Sequence, residues 1–323
     1  MAKVSLLLPV YNVAPYVAEA IVSIQRQTLT DIEVVAIDDC STDDTLRLVE
    51  DIARADSRIR VVRTAHNLGL PEALNFGLQF CNAPFIARMD GDDIALPTRL
   101  EKQLRFLEEN PGIALVGCAT IAVDESGNRV PGLGISRKPS CDEEVARTII
   151  LASPCLHIWL ARGEVYDRLA GYRNMKYAED YDFLLRATAA GYRISNLNEP
   201  LMLIRTRRGN FSSSIQQRKA HHHIARLYQE RLKRGSDSFS LENYAKALRT
   251  GKVADAAFRL ARRCLQKGIH SRSRAWRLLL SALSALLSPW QARYLFDRIR
   301  FRIAMRRPRR ISGSAQLAEQ VNR

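Results

Sequence analysis

The chain has 323 residues, of which 46% are hydrophobic, and a formal net charge of +15 at pH 7. It is long enough for one large α/β domain with a full core and a smaller unit beside it. Its six cysteines include no C-x-x-C pair, which argues against a disulfide framework or a zinc site and favours reduced thiols in a cytoplasm. The N-terminal "MAKVSLLLPVYN" is typical of a strand, so no secretion signal is predicted.

The positive charge is concentrated in the last third of the chain. Residues 220–323 hold 23 lysines and arginines against 6 acidic residues, whereas the first 219 residues hold 26 against 28. This asymmetry predicts an attached surface for an anionic partner rather than a fold that binds anions throughout.

The first part of the chain alternates β-rich runs with helical patterns. Strands are predicted at 4–10, 33–39, 59–64, 84–90 and 113–123, and helices at 15–27, 42–55, 70–81 and 97–109. This order predicts an α/β fold with a largely parallel sheet flanked by helices. Such sheets bind ligands beyond the C-terminal ends of their strands, where "VYN", "DDCSTDD" and "MDGDD" fall.

The later segments are less regular. Residues 124–160 are predicted to be loop with a short strand. Helices that end at glycines are predicted in "EVYDRLAGYR" and "AEDYDFLLRATAAGYRI", followed by a strand near "PLMLIRT". From about residue 214 the pattern is helical, and it includes an antiparallel helix pair joined at Gly251.

The sequence contains neither a phosphate-binding G-x-x-x-x-G-K-[ST] loop nor a G-x-G-x-x-G dinucleotide fingerprint. Carboxylates at strand ends are the alternative: they can bind a base or ribose, or a divalent metal that neutralises a diphosphate. "FIARMDGDDIALP" places Asp90, Asp92 and Asp93 after an apolar run, where their charges repel one another. Asp90 and Asp92 lie on the same side of an extended segment, and Mg²⁺ or Mn²⁺ would remove the repulsion. A solvated acidic turn before a helix at Pro97 is the other interpretation.

Three segments in order, "VSLLLPVYNVAPYVAEAIVSIQRQTLTDIEVVAIDDCSTDDT", "HNLGLPEALNFGL" and "FIARMDGDDIALPTRLEKQLRFLE", resemble the nucleotide-diphospho-sugar-binding domain of family-two glycosyltransferases, which have the GT-A fold. The similarity spans residues 3 to about 213, and "GYRNMKYAEDYDFLLRATAAGYRISNLNEPLMLIR" resembles the acceptor-side half of that family. The resemblance implies a GT-A domain at 1–215, and a basic α-helical region follows at 216–323.

The resemblance assigns donor-binding roles to four residues near the first two strand ends. Pro9 and Tyr11 end the first strand against the nucleotide, and Asp39 hydrogen-bonds the base. Asp38 supports the ribose or structures the turn. Part of "DDCSTDDT" has a second interpretation, because its later side chains, Ser41, Thr42 or Asp43, would also cap the following helix.

The resemblance also assigns the metal and the catalytic base. Asp90 and Asp92 match the Asp-x-Asp motif that holds the metal and the donor, with Asp92 as the direct ligand of Mn²⁺ or Mg²⁺ and Asp90 nearer the sugar or ribose. Gly91 allows close approach to the ligand. Asp180, in "YAEDYDF", matches the base that deprotonates the acceptor hydroxyl. Acidic residues in the first turn of a helix also complement its dipole, which is the alternative role for Glu179 and Asp180.

Two positions depart from the usual pattern of the family. Cys40 stands where glycine is usual. Arg207 stands where many members have a histidine that reaches the diphosphate or the metal, so it either neutralises the diphosphate or belongs to an ordinary basic loop. The Gln-x-x-Arg-Trp signature of processive members is absent, which favours transfer of a single sugar.

The histidines carry weaker signals. His157 lies on an apolar stretch; the resemblance implies a place beside the acceptor pocket, and a hydrogen-bonded core histidine is the alternative. Consecutive helical residues point about 100° apart, so His221, His222 and His223 cannot all face one ion and predict no metal site.

Residues 271–310 have an apolar centre at 278–287 flanked by tryptophans and many arginines. This centre is about half of the roughly 20 residues that a spanning helix needs. The composition favours a helix that lies on an anionic membrane surface over one that packs on the enzyme or on a dimer partner. No nucleic-acid-binding pattern is present.

Together these features predict an inverting, metal-dependent, non-processive hexosyltransferase. The expected donor is a nucleotide-diphospho-sugar, by prediction a UDP-sugar, and the acceptor is a hydroxyl, by prediction lipid-linked. The expected setting is polysaccharide or glycolipid assembly on the cytoplasmic face of the cell membrane. The alternatives are a catalytically silent nucleotide-sugar-binding or scaffold protein, and a nucleotidyltransferase of similar architecture.

Overall fold

The computed structural model describes residues 2–131, 133–207, 214–271 and 273–306. Within these ranges eight strands form one mostly parallel sheet in the order β3-β2-β1-β4-β7-β6-β8-β5. The strands are β1 Val4–Val10, β2 Ile32–Asp38, β3 Ile59–Arg63, β4 Phe85–Arg88, β5 Ile94–Ala95, β6 Leu115–Val123, β7 Leu160–Arg162 and β8 Ile194–Arg205. The predicted α/β class is confirmed.

Helices cover both faces of the sheet and continue beyond it. They are α1 Ala14–Gln25, α2 Thr45–Ala53, α3 Leu70–Leu78, α4 Arg99–Glu109, α5 Asp142–Thr148, α6 Gly163–Leu169, α7 Glu179–Ala189, α8 Ile215–Arg234, α9 Leu241–Leu248, α10 Lys252–His270, α11 Arg274–Leu287 and α12 Pro289–Arg306. Arg208, and the ends of the basic segment at Arg272 and 307–310, fall outside the described residues.

Strand β1 shows why the sheet is buried on both faces. All seven of its residues are buried, and successive side chains enter opposite cores. Leu7 packs in the core that also holds Trp159 and Phe183, whereas Leu6 and Leu8 pack in the core on the other face. A strand with both faces covered is a continuous apolar run, which "VSLLLPV" is.

The parallel strands β1, β2 and β4 bring the three motif loops to one edge of the sheet. Val10 pairs with Asp38, and Leu7 pairs with Arg88, so these strands end side by side. The segments that follow them are the ones predicted to bind ligand. This edge is therefore where the functional site should be sought.

The structure differs from the prediction mainly between residues 90 and 205. Strands β5 and β7 and helix α5 are additional short elements, and β8 begins at Ile194, well before the expected strand near Pro200. The pairing of β6 with β8 is irregular near Pro200, which has no backbone N–H to donate. That irregularity breaks the alternating pattern by which a strand is recognised.

Helix α8 lies on the sheet domain although the predicted boundary is at residue 215. Ala220, Ile224 and Leu227 are buried in the same core as Trp159. Tyr244, in α9, donates a 2.6 Å hydrogen bond to the Lys176 carbonyl. The first two helices after the boundary thus continue the core, whereas α10 and α11 pack mainly against each other. Over the part of the chain that the structure describes, no helix is both long and apolar enough to span a bilayer.

Candidate active site

A cavity of about 630 Å³ opens at the sheet edge beyond β1, β2 and β4. Seven of the eight predicted site residues line it: Pro9, Tyr11, Asp39, Asp90, Asp92, Asp180 and Arg207. They come from segments almost 200 residues apart in the chain. The fold therefore assembles the predicted donor, metal and base residues around one space.

Asp38, the eighth residue, has a different environment. Its carboxylate is buried and accepts from the Ser41 N–H at 3.2 Å and 3.3 Å. It also lies 3.3 Å from Arg63 Nε. Of the two roles left open for Asp38, these contacts support structuring of the turn rather than binding of the ribose.

Asp39 lies on the cavity wall and organises the loop that leads into α3. Its carboxylate accepts from the N–H groups of Leu68 at 2.8 Å and Gly69 at 2.9 Å, and from the Thr64 hydroxyl at 3.0 Å. Gly69 has φ +83°, a left-handed conformation that glycine adopts readily. The carboxylate that is predicted to bind the base is thus held rigidly in place.

Helix capping after β2 is only partly as expected. Helix α2 begins at Thr45, and the Asp43 carboxylate accepts from the Thr45 N–H at 2.9 Å. Ser41 instead accepts from the Asn12 N–H at 3.1 Å, which ties this turn to the loop after β1. Cys40 has φ +61°, which explains why glycine would be favoured there.

The acidic loop 90–93 is surrounded by cationic side chains. Asp90 lies 3.3 Å from both Arg88 Nη2 and His157 Nε2. Asp92 Oδ2 lies 2.6 Å from Arg207 Nε. Asp93 lies 3.3 Å from the same His157 nitrogen. Each carboxylate of the loop therefore has a positively charged or protonatable partner.

These contacts shift several pKa values. Burial, together with Asp93 and Asp90, raises the pKa of Asp92 to about 6 despite Arg207. Burial opposes ionisation of Asp90 too, but His157 and Arg88 outweigh it and lower the pKa of Asp90. Burial disfavours the imidazolium, yet Asp90 and the hydrogen bond to Asp93 raise the pKa of His157 to about 9. Near neutrality His157 is therefore a cation, not a neutral core histidine.

Gly91 allows the acidic loop to pack on the end of β1. A Cβ at this position would lie 2.7 Å from Val10 Cγ1 and 3.2 Å from the Pro9 carbonyl oxygen. Glycine was expected here for close approach to a ligand. The structure gives it a second reason, contact with the strand, and that contact sets where Asp90 and Asp92 lie.

Arg88 is a site residue that the sequence interpretation missed. It is the last residue of β4, is 1% exposed, and bridges Asp90 to Glu179 through Nη2, which is 3.1 Å from Glu179 Oε1. Its Nη1 is buried and has no hydrogen-bond partner among the described residues. The signal was an arginine within the otherwise apolar "FIARM".

Asp180 lies in the first turn of α7, where its Oδ1 accepts from the Tyr181 N–H at 2.7 Å. Its neighbour Glu179 does more than complement the helix dipole, because its ion pair with Arg88 joins α7 to the acidic loop. Burial, opposed by Arg88 and assisted by Asp180, raises the pKa of Glu179 to about 7. The backbone just before this helix is strained at Tyr177, which has φ +81° and lines the cavity.

The donor set of the acidic loop fits a divalent cation. Asp90 and Asp92 offer hard carboxylate oxygens, which Mg²⁺ and Mn²⁺ prefer. Within the described ranges, no group of three or more His, Cys, Asp and Glu is arranged to hold a metal. Two carboxylates leave coordination positions for diphosphate oxygens and water, as is common for Mg²⁺ bound with a phosphorylated substrate.

Comparison with known proteins identifies the family. The family model described as "Glycosyl transferase family 2" matches residues 5–169. The chain belongs to glycosyl transferase family 2. Among its relatives, EpsE of Bacillus subtilis (strain 168), named as a glycosyltransferase, is 35% identical over 231 residues, 66% of this chain and 78% of EpsE. The amylovoran biosynthesis glycosyltransferase AmsE of Erwinia amylovora is 33% identical over 184 residues, 57% of this chain and 68% of AmsE.

Solved structures of glycosyltransferases share the architecture of this family 2 member. S. aureus TarS 1–349 in complex with UDP-GlcNAc aligns with a TM-score of 0.59 and 22% identity, covering 91% of this chain and 89% of TarS 1–349. The mannosyltransferase PcManGT from Pyrobaculum calidifontis, in complex with GDP-Man and Mn²⁺, aligns with a TM-score of 0.57 and 18% identity, covering 93% and 86%. The predicted GT-A fold is confirmed.

Proposed function

We propose that the 630 Å³ cavity binds a nucleotide-diphospho-sugar with a divalent cation and transfers one sugar to a hydroxyl acceptor with inversion. The observation that carries this proposal is that seven predicted site residues line one cavity. The carboxylates for the nucleotide, for the cation and for the acceptor proton come from three separate segments. A purely structural acidic turn would not require them to share a cavity.

The donor would lie along the edge of the sheet from β2 to the acidic loop. Pro9 and Tyr11 would contact the nucleoside, and Tyr11 is 46% exposed at the cavity surface. Asp39 would accept from the base. Its three internal hydrogen bonds fix the direction in which the remaining lone pairs point.

Asp90 and Asp92 would hold Mn²⁺ or Mg²⁺, which when bound supplies positive charge to the diphosphate as it leaves. The cation would stabilise the ionised form of Asp92 in particular, because burial and the neighbouring carboxylates raise the pKa of Asp92 to about 6. Arg207 would add a second positive charge at the diphosphate. Its 2.6 Å contact with Asp92 supports this role over an ordinary basic loop.

Asp180 would take the proton of the acceptor hydroxyl as that oxygen attacks the sugar. Its position at the start of α7, on the cavity wall, leaves it accessible to an acceptor. Glu179 would not react itself; its ion pair with Arg88 would hold the first turn of α7, and with it Asp180, in place. The sugar would then be transferred in a single displacement, and a hydroxyl rather than water would be the intended nucleophile.

The donor class can be tested by measuring nucleotide release. The purified chain would be incubated with UDP-, GDP- and dTDP-sugars, with Mn²⁺ or with a chelator. We expect slow hydrolysis of one donor, by our proposal a UDP-sugar, that disappears with the chelator and in Asp92→Ala. Release that persists in the chelator would contradict metal dependence. Absence of both release and donor binding would favour a silent scaffold, and pyrophosphate formation from a nucleoside triphosphate would favour a nucleotidyltransferase.

We further propose that the enzyme works on the cytoplasmic face of an anionic membrane and builds cell-surface polysaccharide or glycolipid. The specific observation is an exposed apolar stripe on α11 at positions i, i+3, i+7 and i+10: Trp276, Leu279, Leu283 and Leu286. Exposed Phe296, Ile299 and Ile303 form a similar stripe on α12. Arginines beside apolar stripes favour an interfacial helix on anionic lipid over a buried helix.

A further inference from the structure

A second cavity of about 130 Å³ lies where α5, α7, α8 and α12 meet, and its lining shares no residue with the active-site cavity. The two cavities are nevertheless neighbours. Asp180 lines the first and Tyr181 the second, and likewise Gln217 and Arg218 on α8. The first turns of two helices therefore border both the cavity that holds the proposed base and this second space.

The second cavity is strongly basic. Four arginines line it, Arg218, Arg226, Arg293 and Arg300, against one carboxylate, that of Asp297. Arg293 lies 3.9 Å from Asp297, a distance at which the ion pair neutralises only part of the charge. The cavity is several times larger than the space that one water needs. It has the charge and the room for a tetrahedral oxyanion.

Arg218 is held with an unused donor. Its guanidinium lies over the Tyr294 ring, 3.6 Å from the centroid, and its Nε is buried with no hydrogen-bond partner among the described residues. A cation–π contact of this kind holds a guanidinium in place and leaves other N–H groups free to bind an anion. His221, which also lines the cavity, is neutral at pH 7 because burial lowers its pKa to about 4. The arginines therefore provide the positive charge.

We propose that this cavity, the arginine pocket, binds a phosphate group carried by the acceptor. This inference rests on the proposed function, because it assigns to the acceptor a phosphate next to the hydroxyl that Asp180 would deprotonate. Arginine forks recognise phosphate oxygens in bidentate fashion, and four of them around one small cavity match a phosphate or diphosphate ester. A neutral sugar acceptor would not require the positive charge of these arginines.

The test uses the full chain and inorganic pyrophosphate as the probe, titrated calorimetrically in metal-free buffer. The variant is Arg226→Gln with Arg293→Gln, two exposed side chains whose removal should leave the fold intact. Its matched control is Arg263→Gln with Arg302→Gln, exposed arginines of α10 and α12 outside the pocket. We expect saturable binding that weakens about tenfold or more in the pocket variant and less than about twofold in the control.

Two results would overturn the proposal: no saturable binding of pyrophosphate, or equal weakening in both variants. A vesicle arm distinguishes an acceptor phosphate from a lipid headgroup, using phosphatidylcholine vesicles with and without phosphatidylglycerol. We expect the pocket variant and its control to bind these vesicles equally. A loss of vesicle binding specific to the pocket variant, with pyrophosphate binding unchanged, would assign the arginines to the membrane and refute an acceptor site.

Binding of UDP with Mn²⁺, measured on the same samples, separates this inference from the proposed function. If the pocket variant loses pyrophosphate binding but keeps UDP binding, both proposals stand. If UDP does not bind while pyrophosphate still depends on Arg226 and Arg293, the donor proposal fails and phosphate binding by the pocket stands.

Discussion

At the scale of single residues, the site depends on cations placed behind an acidic loop. Arg88 contacts Asp90, and His157 contacts both Asp90 and Asp93. These contacts hold the two carboxylates close together without a metal. Both cations are largely buried in the lining of the active-site cavity, and both link the loop to distant parts of the chain. Their contribution should therefore appear in stability as well as in activity.

Replacing Arg88 by glutamine should strongly destabilise the fold. The change leaves the buried Glu179 carboxylate without its partner, and breaking a buried ion pair typically costs about 3 to 5 kcal/mol. Urea denaturation would measure the change in free energy of unfolding. The control is Arg54→Gln, whose side chain is 72% exposed in its pair with Asp51 and which should cost less than about 1 kcal/mol. Equal, small effects of both changes would refute the bridging role of Arg88.

His157 should make the stability of the metal-free protein depend on pH. The folded state raises its pKa from 6.5 to about 9, so the stabilisation is complete below pH 6.5 and is lost as the pH rises through 9. The charges facing it are Asp90 and Asp93, which favour the imidazolium, and Arg88, which opposes it. Relative to His157→Asn, the wild type should be more stable by about 3 kcal/mol near pH 6, and by little near pH ~10. A difference that stays constant over this range would contradict a charged His157.

At the scale of elements, the sequence predicted the parts of the fold whose signals are local. β1, β2 and β4 are recognisable because burial on both faces makes each an apolar run. By contrast β5 and β7, of two and three residues, depend on pairing with distant strands, and no window of sequence reveals that. The same distinction holds at the site: Asp90 and Asp92 were found from their spacing, whereas the contact between Asp90 and His157 joins residues 67 positions apart and exists only in the fold.

The apolar stripes of helices α11 and α12 are also a local feature, because the spacing of the apolar residues along each helix defines them. The exposed stripe on α11 should bind lipid. Replacing Leu279 and Leu286 by glutamine should weaken binding to phosphatidylglycerol vesicles more than about tenfold, because each buried leucine contributes about 1.5 to 3 kcal/mol. Sedimentation with vesicles would measure this.

The matched control replaces Leu232 and Leu241, exposed leucines of α8 and α9, by glutamine. Vesicle binding that is the same in the wild type and in both variants would show that the α11 stripe does not contact lipid. The membrane proposal would then lose the observation on which it rests.

At the scale of the whole molecule, the donor half and the C-terminal helices form a more continuous body than a boundary at residue 215 suggests. Helix α8 contributes buried side chains to the sheet domain, and its first turn contributes Gln217 to the active-site cavity and Arg218 to the arginine pocket. The basic helices α8 and α12 thus lie next to the start of α7, where we propose that Asp180 meets the acceptor. Composition predicts an anionic partner for these helices without saying which. In the structure some of their arginines line the arginine pocket, and others lie on the exposed surface.

We propose that Asp92 binds the metal-bound donor, whereas Asp180 acts only on the acceptor. Calorimetric titration of UDP, with and without Mn²⁺, into the wild type, Asp92→Ala and Asp180→Asn tests this division most directly. We predict Mn²⁺-dependent binding that is lost in Asp92→Ala and retained in Asp180→Asn, although Asp180→Asn transfers no sugar. Three results would contradict this division of roles: UDP binding that does not depend on Mn²⁺, UDP binding that is retained in Asp92→Ala, or UDP binding that is lost in Asp180→Asn.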